Sequence, residues 1–151
     1  MNTQPQGAAP APMTSQQIEE AAIAYVLAHE KAAGRTATDT RRVAGSPTDV
    51  RSEDPATGEV RLIEVKSSGT SVRTKELWLE PGQVRLGLED PSFHLYIVEN
   101  VRSGSLQEFR LIDVDGQALR DLLAGAREKH YFEIPVLGAL YDRLAGGATG
   151  Q

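Results

Sequence analysis

The chain has no cysteine. That excludes disulfides and thiolate metal sites, and it fits a reducing, cytoplasmic setting. Aromatic residues are scarce, at 5% of the 151 residues. There is no excess of positive charge: 16 Lys and Arg stand against 21 Asp and Glu, a net charge of −5. A global basic footprint for nucleic acid is therefore lacking, although a local basic patch or a metal-neutralised site is not excluded. No apolar run approaches the roughly 18 residues that suggest a membrane span, so no membrane partner is expected. The N-terminus lacks the basic and apolar regions of a secretory signal. The hydrophobic fraction, 40%, is that of an ordinary globular domain.

The length suits one domain with one core. Residues 1–13, rich in Pro, Ala and Gln, read as a flexible tail. Residues 14–145 read as a single domain, and residues 146–151 as a Gly-rich tail. Thr14 and Gln17 form a capping-box pattern, which predicts a helix to about Ala33 with Gly34 as its stop. Its apolar stripe is Ile18, Ala22, Tyr25, Val26 and His29. Residues 35–48 are polar and read as irregular. Asp49 to Glu53 and Glu59 to Ser67 read as a hairpin around the turn Asp54-Pro55-Ala56-Thr57-Gly58. Val72 to Leu79 reads as a third strand of the meander. A short helix from Pro81 to Leu88 follows, then strands over Phe93–Val101 and Leu106–Val114. Helices are expected over Gln117–Ala126 and Pro135–Leu144. The fold class is α/β of the α+β type, with a mixed central sheet flanked by helices.

RLIEVKSS, residues 61–68, carries the chemistry. A strand repeats every two residues, so Glu64 and Lys66 share one face while Ile63 and Val65 share the other. A solvated ion pair on a surface strand is the plain explanation. The hairpin adds to it. With the turn at 55–58, Asp49 falls roughly opposite Glu64. Two carboxylates with a backbone carbonyl make a hard-oxygen site for Mg²⁺, and the lysine can orient a water. That set suits hydrolysis of a phosphodiester. His29, His94 and His130 show no metal-ligand spacing. Arg41, Arg42, Arg51, Arg73, Lys75 and Arg85 could line a phosphate-binding face or merely offset the acids. Trp78 and Tyr96 read as core or rim.

Asp49 followed by Glu64-Val65-Lys66 resembles the D…(D/E)xK signature of the PD-(D/E)xK nuclease superfamily, which has the restriction-endonuclease-like fold. Three flanking segments sharpen the resemblance: IEEAAIAYVLAHEKAAGR (18–35), SPTDVRSEDPATGEVRLIEVKSS (46–68) and LEPGQVRLGLEDPSFHLYIVENV (79–101). Together they are similar to the domain named after the C-terminal region of the plant protein NO VEIN. The resemblance implies a Mg²⁺ (or Mn²⁺) site formed by Asp49, Glu64 and the Val65 carbonyl. It implies that Lys66 orients the attacking water and that Glu19, or its neighbour Glu20, serves a second ion. It places a water- or phosphate-positioning role on Gln83. The implied substrate is nucleic acid, DNA above all, in a restriction, defence or repair setting. A homodimer or a partner protein would then supply target recognition. The alternative is a catalytically silent member of the fold that senses nucleic acid or binds protein. Pro47-Thr48 stands where similar domains have Gly-Tyr, Ser67 where they often have Gly, and Glu80-Pro81-Gly82 precedes Gln83 where a Thr is usual.

Overall fold

A computed structural model describes residues 11–147. The structure of residues 1–10 and 148–151, which take in most of the two expected tails, lies outside the described residues. The element order is α1 (Ser15–Ala32), β1 (Thr36–Asp39), β2 (Val50–Glu53), β3 (Val60–Ser67), α2 (Pro81–Glu89), β4 (Phe93–Glu99), β5 (Arg110–Val114), α3 (Gly116–Ala124) and α4 (Gly138–Gly147). The strands form one sheet in the order β1-β2-β3-β4-β5. Only β3 and β4 run parallel; the other neighbours are antiparallel. This mixed sheet flanked by helices is consistent with the restriction-endonuclease-like fold implied above.

The capping box at Thr14 and Gln17 starts α1. Gly34, at φ +83°, ends it, in a left-handed conformation that a Cβ would disfavour. The Asp54–Gly58 turn closes the β2–β3 hairpin with Val50 opposite Ile63, and one step further places Asp49 beside Glu64. Alternation in β3 then divides its side chains between two apolar layers. Ile63 and Val65 pack under α1 with Ile18, Ala22 and Val26. On the opposite face, Leu95 and Ile97 of β4 pack against Leu119 and Leu123 of α3. Leu95 lies opposite Glu64 in the parallel ladder, and Ile97 opposite Lys66.

Three expectations need correction. The segment Val72–Leu79 is not a strand. It is an irregular passage whose apolar residues, Val72, Leu77 and Leu79, plug the α3-side layer, while the Val72 N–H donates to Glu99 Oε2 at 2.6 Å. The strand that completes the meander is β1, inside the stretch read as irregular. Its sequence TATD is polar because it lies at the sheet edge, where one side faces solvent. Finally, His29 is exposed, and Ile23 and Glu30 complete the buried side of α1 instead. The inward line of α1 therefore ends on a carboxylate paired with Arg35 and hydrogen-bonded by Ser52 and Tyr96 of the sheet.

Candidate functional site

Asp49 is held at both ends. Its carbonyl accepts from the Thr40 N–H at 2.8 Å, and its carboxylate accepts from the Val65 N–H at 3.0 Å. The preceding Pro47-Thr48 loop is pinned too: the Thr40 and Ser46 hydroxyls both donate to the Thr48 carbonyl. The Asp49 carboxylate is thus fixed beside that of Glu64. Lys66, two residues along the same face, places Nζ 3.5 Å from Glu64 Oε1.

Glu64 has only 4% of its side chain exposed, and its Oε2 is a buried oxygen with no hydrogen-bond partner. Burial pushes its pKa up, and the negative Asp49 pushes it further. The Lys66 ammonium pulls the other way without prevailing, and the result is about 7 instead of 4.5. That shift is roughly 3 kcal/mol against the charged carboxylate. A buried oxygen without a donor is rare in folded proteins and calls for an explanation. A divalent cation would supply one, because it would neutralise both carboxylates and use the free lone pairs. The residues present therefore fit such an ion.

The other expected residues lie elsewhere. Glu19 is 57% exposed and pairs with Arg41, whose guanidinium also holds Glu20 and Asp39. Gln83 turns its carbonyl back to the Glu80 N–H, at 2.9 Å, and so caps α2. Of the basic residues, Arg41 and Arg51 are engaged in ion pairs with nearby acids. Trp78 is exposed and Tyr96 is buried core. Past the end of β3, on the side of α1, a cleft of about 320 Å³ is lined by Ser67, Ser68, Thr70, Lys75 and Arg102 together with Ser15 and Ile18 of α1. It offers small hydroxyls and two cations; none of Asp49, Glu64 and Lys66 lines it.

A second group lies on the α1 face. His94 Nδ1 is 2.9 Å from Asp113 Oδ1 and 3.9 Å from Asp115 Oδ2. These three residues could hold a metal ion, whose identity the geometry does not select. Sequence spacing hides the cluster, because its members come from two antiparallel strands. The signal lies in the register: Tyr96 pairs with Asp113, which sets His94 against Asp115. The cluster continues through Arg61, which donates to Asp113 at 3.2 Å and to the Tyr96 hydroxyl at 2.8 Å. Tyr96 donates in turn to Glu30, which is fully buried and also bound by Arg35 and by the Ser52 hydroxyl. Burial alone would raise the Glu30 pKa, but the donors Arg35, Tyr96 and Ser52 more than offset it and bring it down to about 2. One face of the sheet thus carries a fully satisfied carboxylate, and the other face carries an unsatisfied one.

Residues 18–112 match the family described as Protein NO VEIN, C-terminal. The chain belongs to that family. No curated protein and no solved structure matches the chain significantly. The NO VEIN C-terminal match takes in α1 from Ile18 onward, Asp49, Glu64, Lys66, Gln83 and His94, and it stops just before Asp113 and Asp115. Two of the three members of the His94 cluster thus lie beyond the matched region, whereas the Asp49–Glu64–Lys66 group lies wholly within it. No helix among the described residues is long and apolar enough to cross a membrane.

Proposed function

We propose that this NO VEIN C-terminal domain is a metal-dependent nuclease of the PD-(D/E)xK type that hydrolyses phosphodiester bonds, with DNA as the expected substrate. The observation that carries the reading is the buried, unpartnered Glu64 Oε2 beside Asp49, with Lys66 within 3.5 Å. Asp49, Glu64 and the Val65 carbonyl would hold Mg²⁺ or Mn²⁺, which supplies Lewis-acid stabilisation of the charge that develops on phosphate. Lys66 orients the attacking water, whose oxygen bonds to phosphorus as the phosphorus–oxygen bond to the leaving group breaks. The Val65 N–H keeps Asp49 aimed at the same point. On this reading the Ser67–Thr70 loop, with Lys75 and Arg102, would supply hydroxyls and cations to phosphates farther along the strand. Glu19 reaches a second ion only by leaving Arg41, and Gln83 reaches the substrate only by releasing its helix cap.

Those last two engagements favour a second reading, in which the domain keeps the fold and the ion but does not cut. It would then sense nucleic acid, or bind a partner in a defence or repair assembly. The deciding experiment is cleavage of plasmid and single-stranded DNA with Mg²⁺ or Mn²⁺, alongside calorimetric titration of each ion. The nuclease reading expects cleavage by the wild type and a loss of about 100-fold or more in Lys66→Ala and Asp49→Ala. Ion binding lost in Asp49→Ala, without cleavage by the wild type, would support the silent reading. If Asp113→Asn abolishes ion binding and Asp49→Ala does not, the ion belongs to the His94 cluster and both readings fall.

A further inference from the structure

Seven large apolar side chains between Tyr131 and Leu144 are 59–94% exposed, with Phe132 at the upper limit. Among the described residues, neither apolar layer includes one after Leu123. The segment leaves α3 through Gly125 and Ala126, passes Glu76 with Arg127 Nη2 3.8 Å away, and then continues without regular structure to α4. Those seven side chains expose on the order of 900 Å², well above the roughly 300–600 Å² of the largest patch on a typical monomer.

The domain body carries a matching surface. Trp78, Leu88 and Leu122 are all about half exposed or more. They lie on the 72–79 segment, α2 and α3, the elements that supply the α3-side layer. Leu77, Leu79, Leu86, Leu119 and Leu123 of the same elements are already taken up by that layer. One chain thus presents both an uncovered apolar arm and an uncovered apolar surface at the arm's own root.

We infer that the chain forms a two-fold dimer in which the segment Tyr131–Leu144 of each copy lies on the outer face of α2 and α3 of the other. Three observations choose a second copy as the occupant. Donor and acceptor are both present in every chain, so a reciprocal exchange covers both at once, as a two-fold interface requires. The arm starts at the end of α3, beside the surface it would cover in its partner. Two exchanged arms and the surfaces beneath them exceed the roughly 1,600 Å² of a standard stable interface. The arm and Leu122 both lie past residue 112, outside the family match. The inference does not rest on the nuclease reading.

Sedimentation equilibrium of the full chain, from low to high micromolar concentration, tests it. The wild type is expected at twice the chain mass. Phe132→Glu with Ile134→Glu removes the arm's grip, and Leu88→Glu with Leu122→Glu removes the surface; each double variant alone is expected to be monomeric. Mixing the two restores a dimer, because one intact arm then meets one intact surface. All four positions are exposed, so each variant should keep the wild-type circular dichroism spectrum. Should the surface variant unfold, cross-linking decides. The chain has no cysteine of its own, so Phe132→Cys mixed with Leu122→Cys should form a disulfide between chains under mild oxidation. A monomeric wild type overturns the inference and leaves the arm to a different protein. A dimer lost in the arm variant but kept in the surface variant also overturns it, because the arms would then pack on each other. So would a mixture that stays monomeric, or the absence of the mixed disulfide.

Discussion

Replacing Glu64 with Gln keeps the shape of the side chain and removes its charge. The folded-state pKa is raised from 4.5 to about 7, so the fold favours the protonated carboxyl. Stability from this group is fully present below pH 4.5 and is lost as pH rises through about 7. By pH 8 the loss amounts to roughly 3 kcal/mol. Glu64→Gln is therefore expected to be about 1–3 kcal/mol more stable than the wild type at pH 8 in chelator-treated buffer, and no more stable at pH 4.5. Urea unfolding at the two pH values reads this directly; an equal difference at both would rule out an electrostatic origin. Glu30 behaves in the opposite sense. Its donors lower its pKa to about 2, so its contribution is present above pH 4.5 and is lost as pH falls through about 2. Glu30→Ala strands the Arg35 guanidinium and the Ser52 and Tyr96 hydroxyls, at an expected cost of about 3–5 kcal/mol. Tyr96→Phe removes a single hydroxyl from the chain of bonds and should cost about 1–2 kcal/mol by the same assay.

At the scale of elements, the legible parts were those with local chemistry. The cap at Thr14, the stop at Gly34 and the Asp54–Gly58 turn each act within a few residues, so the sequence places α1 and the β2–β3 hairpin almost to the residue. The turn then sets the register, and that is why the proximity of Asp49 and Glu64 could be read in advance. β1 was missed because an edge strand needs no apolar alternation, and Thr36–Asp39 has none. The 72–79 segment was misread for the converse reason. Its apolar residues are spaced by the layer they fill, and no ladder partner is needed for that. The engagement of Glu19 with Arg41, and the His94–Asp113–Asp115 cluster, depend on contacts between distant segments that no local pattern encodes. The close approach of α2 to its neighbours depends on Gly87, where an added Cβ would meet Leu123 Cδ1 at 3.1 Å and the Phe93 ring at 3.3 Å. Gly87→Leu should push α2 off α3 at a cost of about 1–3 kcal/mol, read as a lower urea midpoint. An unchanged midpoint would mean that α2 adapts freely.

For the molecule as a whole, the two faces of the sheet set opposite limits. The α1 face, through Glu30, loses stability on the acid side; the α3 face, through Glu64, loses it on the alkaline side. In metal-free buffer the contributions of both groups are complete together only near pH 4.5. A thermal melting series across pH should therefore peak in mild acid, and Glu64→Gln should broaden that peak toward neutrality. On the proposed reading, an added divalent ion should do the same for the wild type, because it removes the penalty on the charged carboxylate. The oxygen left without a donor at Glu64 then acquires a meaning beyond chemistry. At neutral pH the ion would be part of what keeps the chain folded, so a cell short of it would hold more of the chain open to proteases. The lifetime of the protein would then follow the supply of that ion, through the unpartnered oxygen proposed to bind it.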